Sequence, residues 1–110
     1  MSHHDCTVQE LKSRLDAGTP PALLLDVRQP EEVALCRLPG ATHIPMGDIP
    51  SRLTELEAYA EAEIVVYCHH GMRSASVAEF LRRHGFESVR NLDGGIDAYS
   101  LLADPSIPRY

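Results

Sequence analysis

Apolar and polar positions change rhythm along the chain, and each change marks a predicted element. Thr7-Val8-Gln9-Glu10 has the form of a capping box, with Val8, Leu11 and Leu15 at helical spacing behind it and Gly18 as the stop. Gly18 to Pro21 reads as a turn. Ala22 to Val27 is then predicted as a buried strand, because Leu23-Leu24-Leu25 is apolar without alternation. Pro30 opens a short helix through Glu31-Glu32-Val33, and the Pro39-Gly40 turn ends that stretch. Ala41 to Ile44 reads as a second short strand. Asp48 to Ala62 is predicted as a helical turn or two and a helix, with Ile49, Leu53 and Leu56 inward.

Ile64 to Tyr67 is the best strand in the chain, and a helix follows from about Arg73 to His84. Val77, Phe80, Leu81 and His84 form its inward stripe; Ser76, Glu79, Arg82 and Arg83 face water, and Gly85 ends it. Ser88 to Leu92 is another strand. Gly94-Gly95 leads into a last helix near Ile96 to Leu102, and Asp104 to Pro108 is an extended tail. With no repeat or linker composition, residues 1–110 read as one domain. Strands alternating with helices predict an α/β layered fold with a mostly parallel sheet. Such sheets place ligands beyond the carboxyl ends of their strands. Asp26-Val27-Arg28 and the segment from Cys68 onward then share one edge.

Composition narrows the partners. The longest apolar run, Ile64 to Cys68, is strand-sized, so no membrane span is expected. Met1-Ser2-His3-His4-Asp5 has neither a basic nor an apolar stretch, which argues against a secretory signal. Ten Lys and Arg against 16 Asp and Glu leave a net charge of −6, poorly suited to nucleic acid. All the cations but Lys12 are arginines, whose planar forks grip small oxyanions. Cys6, Cys36 and Cys68 cannot all pair and contain no C-x-x-C, so a reducing, cytoplasmic setting is expected.

The chemistry concentrates in Cys68-His69-His70-Gly71-Met72-Arg73-Ser74, between the best strand and the best helix. A thiol at a strand end, facing a turn and a helix N-terminus, meets several N–H donors and a dipole that favour its thiolate. Gly71 permits a backbone angle that a side chain would oppose. Arg73 adds a permanent cation where the helix dipole disfavours one, which points to a role with an anionic ligand. His69 and His70 adjoin each other, so they are not expected to converge with Cys68 on a tetrahedral ion. His3 and His4 form an isolated pair.

This loop resembles the active-site loop of rhodanese-domain sulfurtransferases. The resemblance extends through Leu24-Leu25-Asp26-Val27-Arg28, Pro30-Glu31-Glu32, Pro39-Gly40-Ala41-Thr42-His43-Ile44-Pro45 and Asn91-Leu92-Asp93-Gly94-Gly95-Ile96. It implies a five-stranded, mostly parallel sheet flanked by helices, with an extra short strand near Asp5 to Thr7. Cys36-Arg37-Leu38 and the closing Asp104 to Tyr110 look more like the rhodanese domain fused to E1-like adenylyltransferases. The implied chemistry is transfer of sulfane sulfur, from a small anion such as thiosulfate, through a Cys68 persulfide. The implied acceptor is a thiol or a sulfur-carrier protein, and no cofactor or metal is implied.

On this reading Cys68 is catalytic, residues 68–73 form the active-site loop with Ser74 beside it, and Asp26 and Arg28 brace its edge as an ion pair. Cys6 and Cys36 are bystanders. Two other functions use the same features. A non-catalytic binding module of this fold usually lacks the cysteine. Dual-specificity phosphatases share the fold and a Cys-loop-Arg site, but their loop is one residue longer than His69 to Met72.

Overall fold

In the computed structural model, which describes residues 5–110, the chain runs β1 (Asp5–Cys6), α1 (Val8–Asp16), β2 (Leu23–Asp26), α2 (Pro30–Leu35) and β3 (Thr42–His43). Two 3₁₀ segments follow, Met46–Asp48 and Pro50–Tyr59. Then come β4 (Glu63–Tyr67), α3 (Met72–Arg83), β5 (Ser88–Leu92) and α4 (Gly95–Leu102). The His3-His4 pair lies outside the described residues. The strands make one sheet in the order β1-β5-β4-β2-β3, and every pairing is parallel. β1 is the extra short strand that the family resemblance implied, and it pairs with β5 through Asp5 and Asn91.

Strand periodicity builds two cores from one sheet. Leu23, Leu25, Val27, Ile64, Val66 and Cys68 point to one face, against Val77, Ala78 and Leu81 of α3. Leu24, Val65, Tyr67 and Leu92 point to the other, against Leu11 of α1 and Ile96 and Tyr99 of α4. Cys68 therefore leaves β4 on the α3 side, and Asp26 and Tyr67 stand opposite each other on the α1–α4 side.

Two expectations need correction. The stretch predicted as helix over Asp48 to Ala62 is 3₁₀ as far as Tyr59: Asp48, Ile49 and Arg52 donate to carbonyls three residues back, and Arg52 breaks the run at φ −112°, ψ 15°. Pro45 and Pro50 interrupt the donors an α-helix needs. Leu53, Leu56 and Tyr59 recur every third residue, the period of a 3₁₀ helix. His84 is exposed rather than inward, because α3 ends at Arg83 and His84 Nδ1 turns back to Phe80 O at 2.8 Å. Elsewhere the local signals match: Thr7 Oγ1 caps α1 by accepting from Glu10 N at 3.1 Å. No helix among the described residues is long and apolar enough to cross a membrane.

The carboxyl edge is braced by a buried ion pair. Arg28 and Asp26, 0% and 1% exposed, meet at 2.7 Å. All five N–H donors of the guanidinium are used: on both Asp26 oxygens, Glu32 O, Cys36 O and Tyr110 Oη. Tyr67 Oη donates to Asp26 at 2.8 Å, and His43 Nε2 bonds Arg28 O at 2.7 Å. Arg28→Met leaves the Asp26 carboxylate buried without its partner and is expected to cost about 3–5 kcal/mol in urea unfolding. Arg28→Met combined with Asp26→Asn is expected to recover part of that loss. A cost under about 1 kcal/mol for the single variant would contradict the bracing role.

Candidate active site

Cys68 stands at the floor of a turn that its own backbone encloses. The sulfur is buried, and three donors converge on it: Gly71 N at 3.1 Å, Ser74 N at 3.4 Å and Ser74 Oγ at 3.4 Å. Burial pushes the thiol up. The Ser74 hydroxyl and the amides of Ser74, Gly71 and Arg73 outweigh it, so Cys68 ends below an ordinary thiol. Cys6 lies in the opposite core and shows the contrast, since burial pushes its thiol up to about 11.

Two glycines make the ring possible. Gly71 has φ +102°, and a Cβ there would press on Gly94 N at 3.3 Å. A Cβ on Gly95 would come within 2.5 Å of His69 O and 2.6 Å of Cys68 O. That closeness lets the first turn of α4 grip the loop: Ile96 N donates to Cys68 O at 2.9 Å and Asp97 N to His69 O at 3.0 Å. These bonds fix the path of the loop immediately after Cys68 and leave neither carbonyl free to compete for the loop's amides.

Arg73 sits at the start of α3 as expected, but its fork is turned to Glu32 of α2, at 2.7 and 2.9 Å. The same carboxylate accepts from Gln29 N and Tyr110 Oη. Arg73 foremost holds the Glu32 carboxyl down to about 2. The cation at an unfavourable helix end is thus compensated by a carboxylate rather than left free for a ligand. Because the folded value is depressed, this clasp contributes stability above the ordinary carboxylate range and loses it as pH falls through about 2.

His69, His70 and Tyr110 form a column: the His69 ring lies 3.9 Å from Tyr110 at 8° and 3.9 Å from His70 at 31°. His70 Nε2 is 3.7 Å from Asp97, whose two oxygens accept from Arg109. The ligand atoms of His69, His70 and Asp97 lie within 4.8 Å of one another. Gly71 joins the cradle, while the Met72 side chain is 82% exposed on the rim. Asp26 and Arg28 lie behind the loop and reach it through Tyr110 and Glu32.

Sequence reasoning missed three participants. Tyr110 bonds Arg28 at 3.0 Å and Glu32 at 2.8 Å, so the end of the tail packs against the site. A lone aromatic in a polar tail was its only signal. Glu32 was placed on its helix but not beside Arg73. Asn91, a buried polar residue in a strand, holds Ser74 Oγ and Gly71 O. Burial foremost lowers the His69 imidazole, followed by the charge of His70. Tyr110→Ala uncovers that ring, so its NMR titration midpoint is expected to rise toward that of free histidine; an unmoved midpoint would mean that Tyr110 does not bury it.

The comparisons with known proteins agree with this geometry. The rhodanese-like domain family matches residues 7–102. A sulfurtransferase of Allochromatium vinosum is 38% identical over 92 residues, covering 84% of this chain and 83% of its own. The rhodanese-like/PpiC domain-containing protein 12, chloroplastic, of Arabidopsis thaliana is 41% identical over 96% of this chain, which spans 37% of that longer protein. The adenylyltransferase and sulfurtransferase MOCS3 of Drosophila ananassae is 30% identical over 94% of this chain and 24% of its own length. A crystal structure from Staphylococcus saprophyticus superposes with a TM-score of 0.79 at 32% identity, covering 96% of this chain and 99% of that one. The match in fold, loop and nearly the whole sequence makes this chain a member of the rhodanese-like domain family.

Proposed function

We propose that this protein is a sulfurtransferase that carries sulfane sulfur on Cys68. The observation that carries the reading is the convergence of Gly71 N, Ser74 N and Ser74 Oγ on one sulfur at 3.1–3.4 Å. Such a ring of donors stabilises charge on a small centre, as an oxyanion hole does. The Cys68 thiolate attacks the outer sulfur of a donor such as thiosulfate; a new S–S bond forms, the donor's S–S bond breaks, and sulfite leaves with the electron pair. Cyanide, a small thiol or the thiol of a sulfur-carrier protein then attacks the outer sulfur, and the Cys68 thiolate is the leaving group. Neither step requires a metal or an organic cofactor.

The sulfurtransferase of A. vinosum supports the reaction class. MOCS3, an adenylyltransferase and sulfurtransferase, supports the same class. Phosphatase chemistry is disfavoured by the same geometry, because it needs a free guanidinium for the equatorial oxygens and both nitrogens of the Arg73 fork are taken by Glu32. A binding module without catalysis is disfavoured by the lowered thiol of Cys68. Three unpaired cysteines fit a reducing compartment such as the cytoplasm.

Incubation with thiosulfate is expected to add about 32 mass units, one sulfur, at Cys68 alone, and Cys68→Ser is expected to abolish thiocyanate formation from cyanide. Peptide mapping that places the sulfur on Cys6 or Cys36, or an active Cys68→Ser variant, would overturn the assignment.

A further inference from the structure

One proton lies between two acceptors beside Cys68. Ser74 Oγ is 3.4 Å from Cys68 Sγ and 2.5 Å from Asn91 Oδ1. A serine hydroxyl has a single O–H and donates to one of them at a time. The other end of Asn91 fixes its orientation: Nδ2 donates to Gly71 O at 3.2 Å, and the flipped amide would set two carbonyl oxygens against each other. Ser74 is 0% exposed and Asn91 9%, so an acceptor that loses this proton has little recourse to water.

We propose that Asn91 is a positioning residue for Cys68: it holds the Ser74 proton while the Cys68 sulfur is uncharged and yields it when that sulfur becomes a thiolate. In the thiol state Ser74 donates to Asn91 and offers a lone pair to the Cys68 S–H. On ionisation the thiol proton leaves to water and the Ser74 hydroxyl turns to Sγ. Asn91 Oδ1 then loses its partner. Only a torsion changes at Ser74; its O–H bond stays intact. Asn91 therefore opposes the thiolate.

The consequence for sulfur transfer rests on the function proposed above. In a persulfide the negative charge sits on the outer sulfur, and Sγ carries two covalent bonds. Ser74 then returns to Asn91. The state Asn91 disfavours is the bare thiolate alone, so this residue raises the reactivity of the empty site and favours its loaded form.

The test is direct titration of Cys68, which needs no transfer activity. The ultraviolet absorbance of the thiolate is read as the difference between each protein and its Cys68→Ala counterpart, so that Cys6 and Cys36 cancel. The titratable and charged groups around the loop stay in place in every variant. They are Glu32 on α2, Asp26 and Arg28 at the end of β2, Tyr67 on β4, His69 and His70 in the loop, Arg73 on α3, Asp93 after β5, Asp97 on α4, and Arg109 and Tyr110 in the tail. Asn91→Leu is expected to lower the midpoint by about one pH unit, the worth of the buried Ser74–Asn91 hydrogen bond that ionisation breaks in the unaltered protein. Ser74→Ala is expected to raise it, and in the Ser74→Ala background Asn91→Leu is expected to change nothing. Asn91→Ser serves in the same way where Asn91→Leu does not fold. An upward shift in Asn91→Leu, or an equal shift in both backgrounds, would overturn the proposal and return Asn91 to a packing role. The fraction of Cys68 loaded at equilibrium by thiosulfate is expected to fall by up to about tenfold in Asn91→Leu. A protein inert to thiosulfate that still shows the titration pattern would remove the sulfurtransferase reading and leave the Asn91 assignment standing.

Discussion

The loop around Cys68 works because its carbonyls are held from outside. Cys68 O and His69 O accept from the first turn of α4, and Gly71 O accepts from Ala75 N and Asn91 Nδ2. With the carbonyls engaged outward, amides are free to face the sulfur without a competing acceptor. The two amides of this ring are preorganised: they are in place before charge develops, and only the Ser74 hydroxyl has to turn when the thiolate forms. At Gly71 and Gly95 a side chain would break the arrangement, at the first through its backbone angle and at the second through contact with Cys68 O and His69 O.

A second layer stiffens the first. Asp26 and Arg28 close the carboxyl ends of the sheet, with Arg28 between the rings of Tyr67 and Tyr110 at 5.5 and 5.7 Å. From there Tyr110 reaches Glu32, which clasps Arg73 at the head of α3, and its ring covers His69 at the other end of the loop. The tail, α2 and the loop thereby share one hydrogen-bonded chain. A thiol held this way differs from Cys6, which has comparable burial and no converging donors among the described residues.

Local signals were legible wherever physics acts over a few residues. The Thr7 cap, the apolar run of β2, the Cys68 turn and the glycine after α3 all read directly. The ion pair of Asp26 and Arg28 was readable too, since the partners are two residues apart. Tyr110 was not: it meets Arg28 across 82 positions and Glu32 across 78. Periodicity carries no information about such pairs. The 3₁₀ segment was misread because Ile49, Leu53 and Leu56 also fit an α-helical stripe, and the prolines that decide the matter act through missing donors. For Arg73 the sequence indicated an unfavourable cation, and only the fold supplied Glu32.

The claim that the loop amides stabilise charge on Cys68 can be read from the amides themselves. Following the backbone proton and nitrogen shifts of Gly71 and Ser74 by NMR across a pH titration measures both the donors and the sulfur in one experiment. The expected result is that both amide protons move downfield together, with one midpoint below that of an ordinary thiol, and that Cys68→Ala abolishes the movement. Amides that stay unmoved while Cys68 titrates, or a midpoint at or above the ordinary thiol value, would contradict it.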